Sequence, residues 1–329
     1  MKKRILWVVI LALGLFSCSK KEYFEDSGTT FHTLYHIKYE ASGLLTEKID
    51  AELQAYNFSL NPFHPQSIIS KVNRNEEVEV DDWFADVFLK AEEVSEKTGG
   101  TFDITCAPLV NLWGFGFSKT DSVTPAMIDS IRSFVGYRKV RLEGRKVIKD
   151  DSRILLNCSA IAKGYACDVI ARLLEREGVK NYMVEIGGEV TAKGVNEEGE
   201  CWQIGINRPG SEAEVTGAVQ DILTICDKKG IATSGDYRKF IVKDGKRYGH
   251  HIDPRSGYPA EQQILSVTIL SGDCMTADAY ATAFLVLGVE EATALAARTP
   301  EIDYYIIYND SSGIQKTLYS KGMQTYLNR

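Results

Sequence analysis

SAIAKGYACDVIARLLEREGVKNYMVEIGGE, residues 159–189, reads in one pass as helix, stop, strand and turn. Ala166, Val169, Ile170, Leu173 and Leu174 form an apolar stripe at helical spacing over 162–177, and Gly178 stands where a C-terminal cap takes a positive φ. Tyr182–Ile186 then has strand composition, and Gly187-Gly188 turns the chain sharply.

Working outward, residues 31–39 alternate with aromatics and Thr and read as a strand, and 44–56 repeats apolar residues at three and four and reads as a helix. A helix over 82–98 is capped by Asp81 or Asp82 and ended by Gly99-Gly100. A short helix is expected at 129–134 and a hairpin from 139–142 and 146–148. Strands follow at 202–207, 221–227, 237–242 and 265–270, with Asp244-Gly245 suited to a type I′ turn. Helices over 276–287 and 290–298 are separated by Gly288, and 304–308 closes as a strand. Many strands are hairpin-connected, so the class is α+β, a single catalytic domain with mixed, largely antiparallel sheets and packed helices.

Among 329 residues, 44% are hydrophobic and 25% charged, which excludes a disordered or multi-span membrane chain. The formal charge of −7 argues against nucleic acid as a partner. Met1-Lys2-Lys3-Arg4 followed by an apolar run over 5–16 reads as an export signal too short to span a bilayer. Leu15-Phe16-Ser17-Cys18 resembles a bacterial lipobox, which implies a signal peptide over 1–17, lipidation of Cys18, and a lipoprotein held on the periplasmic face of a membrane. Without residues 1–17 the chain carries 35 basic against 45 acidic residues. Residues 18–30 are polar and read as a tether, leaving 31–329 for the domain. The six remaining cysteines show no CxxC or zinc spacing and are expected as small buried residues rather than disulfides.

Three groups carry chemistry. Residues 159–164 lead into a helix, so free N–H groups and Lys163 meet at a positive helix end suited to phosphate. Asp278 and Thr282, one helical turn apart, are hard oxygen donors of the kind Mg²⁺ prefers, or a capping pair; the small Ala277, Ala279, Ala281 and Ala283 around them favour close approach of a ligand. His250-His251 precedes an Asp-Pro turn. In a strand the two would face opposite ways, so one can serve as a general acid or base, or simply order the loop.

Eight blocks in order resemble the ApbE family of FAD:protein FMN transferases. They are Thr33-Leu34-Tyr35, the run 67–73, the run 99–105 together with 108–116 as one block, Ala160-Ile161-Ala162-Lys163-Gly164-Tyr165-Ala166, Glu185-Ile186-Gly187-Gly188-Glu189, residues 232–237, residues 250–257 and residues 276–283. The resemblance implies Mg²⁺-dependent transfer of FMN from FAD to a Thr or Ser hydroxyl of an acceptor protein, with release of AMP. It implies metal binding by Asp278, Thr282 and the Ala160 carbonyl, and FAD contacts at Phe31, Phe63, Thr101, Phe102, Asp103, Asn157, Lys163 and Ile252. His250 falls on the histidine expected to activate the acceptor hydroxyl. The acceptors implied are exported flavoproteins with a Ser/Thr flavinylation motif, in Rnf or Na⁺-translocating NADH:quinone reductase complexes or FMN-binding domains. The chain departs from the family's frequent Met-Gly-Thr by carrying Phe31-His32-Thr33, and has Asn157 and Ala281 where some members carry Asp. Rival readings are an FAD pyrophosphatase yielding FMN and AMP, and a non-catalytic flavin-binding lipoprotein.

Overall fold

The computed structural model describes residues 21–116, 122–210, 218–235, 240–243, 246–260 and 264–327. The export segment, Cys18 and Asp244-Gly245 lie outside them. In chain order the elements are β1 (Glu22–Thr30), β2 (Thr33–Ala41), α1 (Thr46–Leu60), α2 (Ile68–Asn73), α3 (Asp82–Lys97), α4 (Ala107–Leu112), α5 (Pro125–Arg132), β3 (Val140–Glu143), β4 (Lys146–Lys149), α6 (Ala162–Arg176), β5 (Tyr182–Ile186), β6 (Glu189–Lys193), β7 (Trp202–Asn207), β8 (Val219–Ile225), β9 (Lys229–Gly235), β10 (Phe240–Lys243), β11 (Lys246–Gly249), β12 (Ile264–Ser271), α7 (Cys274–Ala296), β13 (Ile302–Asn309) and β14 (Gln315–Tyr319). Eight strands form one sheet in the order β1-β2-β5-β6-β9-β12-β13-β14, and every ladder among the described residues is antiparallel.

Alternation along the strands assigns each face of this sheet a core. Ile37, Val184, Ala232, Val267, Ile269 and Ile306 point into the larger core, shared with α1, α3, α6 and α7. Val190, Ala192, Ile231, Leu270, Tyr305 and Ile307 point the other way, where Trp202, Ile206, Leu223 and Ile225 of β7 and β8 cover them. The fold is therefore α+β, with one large antiparallel sheet between a helical layer and a small two-stranded one.

The helix over 162–177 is observed as α6, and its end is a Schellman cap: Val179 N–H donates to the Leu174 carbonyl at 3.0 Å and Gly178 N–H to Glu175 at 3.1 Å, with Gly178 at φ 80°. Asp81 is the residue that caps α3, accepting from Phe84 N–H at 2.8 Å. Gly288, at φ 76°, breaks α7 where two helices are expected. The helix expected at 129–134 begins earlier, at Pro125, because Thr124 caps it.

Two expectations are corrected. The tether assigned to 18–30 is a strand from Glu22 onward, paired along its whole length with β2. Its hydropathy conceals this because its two buried positions, Asp26 and Thr30, are polar: Asp26 accepts the Tyr39 hydroxyl at 2.8 Å and the Thr46 hydroxyl at 2.6 Å. The cysteines are not all free thiols either, since Cys201 and Cys226 form a disulfide. The β7–β8 register pairs Trp202 with Ile225, so the cysteines one step beyond face each other with Cα atoms 4.8 Å apart. Cys158, Cys167 and Cys274 are buried thiols as expected, and Cys106 is partly buried.

Candidate active site

The site forms where α6 begins, against α7. Gly164 lets the two helices touch: a Cβ there would lie 2.3 Å from the Cys274 carbonyl oxygen and 2.8 Å from Asp278 Cβ. Asp278, only 3% exposed, accepts the Gly164 N–H at 3.0 Å, so one of the helix-end donors expected for a ligand is already taken by the protein. Burial raises the Asp278 pKa, against the pull of Lys163 and the Gly164 bond. Thr282 follows one turn on, 3.5 Å from the Ser234 hydroxyl of β9. Ala277, Ala279, Ala281 and Ala283 beside them are all fully buried and pack α7 against the sheet and the neighbouring helices.

Lys163, in the first turn of α6, ion-pairs with Glu189 at the start of β6. Burial works against the charged lysine, but the carboxylates of Glu189 and Asp278 overcome it and hold its pKa above the usual range. The lysine crosses the Gly187 turn, where a Cβ would sit 3.4 Å from Lys163 Cδ and 2.9 Å from Thr33 Cγ2. The first hairpin is thereby adjacent to the lysine.

Phe31 and His32 form the tip of that hairpin, both at positive φ, 50° and 59°. Position 32 is thus where a glycine would be relaxed, which accounts for the Met-Gly-Thr frequent in the resembling family. Phe31 packs edge-on against Tyr56, whose hydroxyl donates to the Ala162 carbonyl at 2.8 Å, and His32 packs against Phe63. Thr30, Phe31, His32, Thr33, Asn57 and Asn61 line a cavity of about 720 Å³.

Thr101, Phe102 and Asp103 are buried after the Gly99-Gly100 turn. Both Asp103 oxygens are occupied, Oδ1 by the Thr105 N–H and hydroxyl at 2.7 Å each and Oδ2 by Tyr137 N–H at 2.8 Å. Asn157 joins this loop to the helix start: its N–H donates to Ile104 at 2.7 Å and its Oδ1 accepts from Ser159 at 2.9 Å. Ala160 lies between Asn157 and α6, partly buried.

His250 and Ile252 belong to a neighbouring loop. Ile252 is buried, and Trp113 Nε1 ties the loop down through the Gly257 carbonyl at 2.8 Å. The His250 ring lies 6.3 Å from Phe115 and 3.9 Å from His251. The two histidines therefore sit together rather than facing apart, because both follow the end of β11 and strand alternation does not govern them.

The profile of the ApbE family matches residues 31–306. The chain belongs to the ApbE family. An FAD:protein FMN transferase of Haemophilus influenzae is 36% identical, with 96% of each chain covered, and one of Vibrio cholerae is 38% identical over 88% of this chain and 90% of its own. Among solved structures, the flavin transferase ApbE from Vibrio cholerae superposes with a TM-score of 0.83 at 36% identity, covering 94% of this chain and 100% of that one. The apo flavinyl transferase ApbE of Pseudomonas stutzeri gives 0.81 at 30% identity, covering 93% and 96%.

Of the ApbE blocks, those at 160–166 and 276–283 meet where α6 packs on α7, and the 99–105 loop is tied to the start of α6 through Asn157. Sequence reasoning missed Tyr56 and Asp168. Asp168 is buried on α6 and accepts Cys274 N–H at 3.0 Å, Met275 N–H at 2.8 Å and the Thr191 hydroxyl at 2.9 Å, so it seats the start of α7. It lies one turn after Gly164, on the face of α6 opposite the apolar stripe, so hydropathic spacing gave no signal of its burial.

Proposed function

We propose that the protein is a lipid-anchored, Mg²⁺-dependent FAD:protein FMN transferase that moves FMN from FAD to a Ser or Thr hydroxyl of an exported acceptor and releases AMP. The observation that carries this reading is the joining of Asp278 to the first turn of α6 beside Lys163. In the reaction the acceptor oxygen attacks the phosphorus of the FMN half. The bond to the phosphate of AMP breaks, and the hydroxyl proton passes to a base, for which His250 is the candidate. Lys163 counters the charge of the pyrophosphate, and Phe31 at the cavity, with Phe63 packed on its neighbour His32, offers apolar surface to FAD. Because the Asp103 carboxylate is taken by Thr105 and Tyr137 and the Thr101 and Phe102 side chains are buried, contacts from 101–103 fall to backbone groups.

The donor set fits magnesium. Among the described residues no cluster of three or more His, Cys, Asp or Glu occurs, so a cage of carboxylates is not offered. One carboxylate from Asp278, the Thr282 hydroxyl and the Ala160 carbonyl are all oxygens, and Mg²⁺ commonly binds through few protein ligands together with substrate phosphates. Bound there, Mg²⁺ would neutralise the pyrophosphate and ease departure of AMP.

Incubation with FAD, Mg²⁺ and an acceptor flavoprotein of the Rnf or Na⁺-translocating NADH:quinone reductase type should give a fluorescent acceptor band in a denaturing gel. Free FMN with no labelled acceptor would favour the pyrophosphatase, and unchanged FAD the binding protein. For the anchor, Cys18→Ala should release the protein from the membrane fraction; retention would remove lipidation from the account.

A further inference from the structure

Glu189 is not among the residues to which the family resemblance assigns a role. It follows the Gly187-Gly188 turn, and its pairing with Lys163 is asymmetric: its side chain is 5% exposed and that of the lysine 30%. The carboxylate is sealed in the protein while the lysine side chain keeps part of its surface exposed. Glu189 Oε1 takes one N–H of Lys163, and Oε2 is buried with no hydrogen-bond partner among the described residues. An ammonium carries three donors, so two remain for a ligand.

A buried ion pair with an unsatisfied oxygen is a poor device for stability, because the desolvation of a carboxylate is offset only in part by one bond. Its value lies in placement. A lysine has four rotatable bonds and a strongly hydrated head, and without a partner it would sample many positions. Glu189 restricts it, and its stem runs beside the Gly187 turn, where even an added Cβ would meet Lys163 Cδ at an ordinary contact distance of 3.4 Å.

We propose that Glu189 is a positioning residue that holds the Lys163 ammonium in place for the pyrophosphate of bound FAD. The proposal rests on the transferase reading for the identity of the ligand. It acts through Lys163, so the two residues must be coupled.

The test is a double-mutant cycle with Glu189→Gln, Lys163→Met and the double variant, measuring FAD affinity by flavin fluorescence with Mg²⁺, KM and kcat for transfer, and thermal midpoint. Glu189→Gln should weaken FAD binding and raise KM about tenfold or more, with a smaller change in kcat. In the Lys163→Met background the same change should cost no more than about twofold. Glu189→Asp, which keeps the charge, should recover part of the loss. Additive effects, or an unchanged FAD affinity with a lowered thermal midpoint, would overturn the positioning role and leave Glu189 structural. Wild-type protein that binds FAD tightly but labels no acceptor would overturn the transferase reading while the coupling still decides the role of Glu189. Wild-type protein that does not bind FAD would overturn both.

Discussion

Gly164→Ala tests the contact on which the site is built. The added methyl would lie 2.3 Å from the Cys274 carbonyl oxygen and 2.8 Å from Asp278 Cβ, and the first of these is backbone that cannot swing aside. Helices α6 and α7 must separate. Overpacking of this kind costs about 1–3 kcal/mol, and weakening the buried bond from Gly164 N–H to the Asp278 carboxylate adds about 1–2 kcal/mol. The total of about 2–5 kcal/mol corresponds to a fall of roughly 3–8 °C in the melting temperature for a folded unit of about 300 residues. Activity should fall further than stability, since a shift of about 1 Å at a catalytic group can cost about a hundredfold. The assay is thermal unfolding by circular dichroism alongside FMN transfer at 25 °C, where the variant is still folded. Gly43→Ala is the control, because a Cβ there meets nothing within 4 Å. If Gly164→Ala melts and transfers like the control, the close approach of α6 and α7 does not hold Asp278.

Other substitutions probe separate parts of the molecule. Asp278→Asn keeps the shape of the side chain but should abolish Mg²⁺-dependent turnover; transfer at the normal rate would remove Asp278 from the metal site. His250→Ala should lower kcat with little change in FAD affinity, and unchanged kcat would make His250 a loop-ordering residue. Opening the Cys201–Cys226 disulfide, which closes a separation of 25 residues, should cost about 3.5 kcal/mol, read as a lower denaturation midpoint in reductant; an unchanged midpoint would contradict this. Burial opposes ionisation of Glu175, but Lys193, Lys228 and Tyr182 overcome it and bring its carboxyl down to about 2 from 4.5. A depressed carboxyl pKa stabilises the fold above the unfolded value, so this contribution should disappear as pH falls from about 4.5 to about 2. Glu175→Gln should flatten that limb of the stability curve, and an unaltered acid limb would show that the cluster contributes nothing.

The parts of the fold that could be read from sequence are those in which apolar spacing is unambiguous. Ala166, Val169, Ile170, Leu173 and Leu174 face one core, and α6 begins and ends within a residue of expectation. β1 escaped because an edge strand held by a backbone ladder and the buried Asp26 carries little hydropathic signal. β6 and β9 escaped because Thr191, Gly230 and Thr233 interrupt their alternation, although tertiary pairing completes them. Within the site, the grouping of Lys163 with Asp278 follows from the family blocks, but the Gly164 contact that joins them spans 114 residues and is invisible to local pattern. The histidine pair was misjudged because strand geometry was applied beyond the end of β11.

Group transfer at the junction of α6 and α7 is read out by mass spectrometry of an acceptor domain after incubation with FAD and Mg²⁺. The expected result is an acceptor heavier by one FMN less one water, AMP formed one for one with labelled acceptor, and neither product with Asp278→Asn. An unmodified acceptor in the presence of bound FAD, or equal labelling by the Asp278→Asn variant, would contradict it.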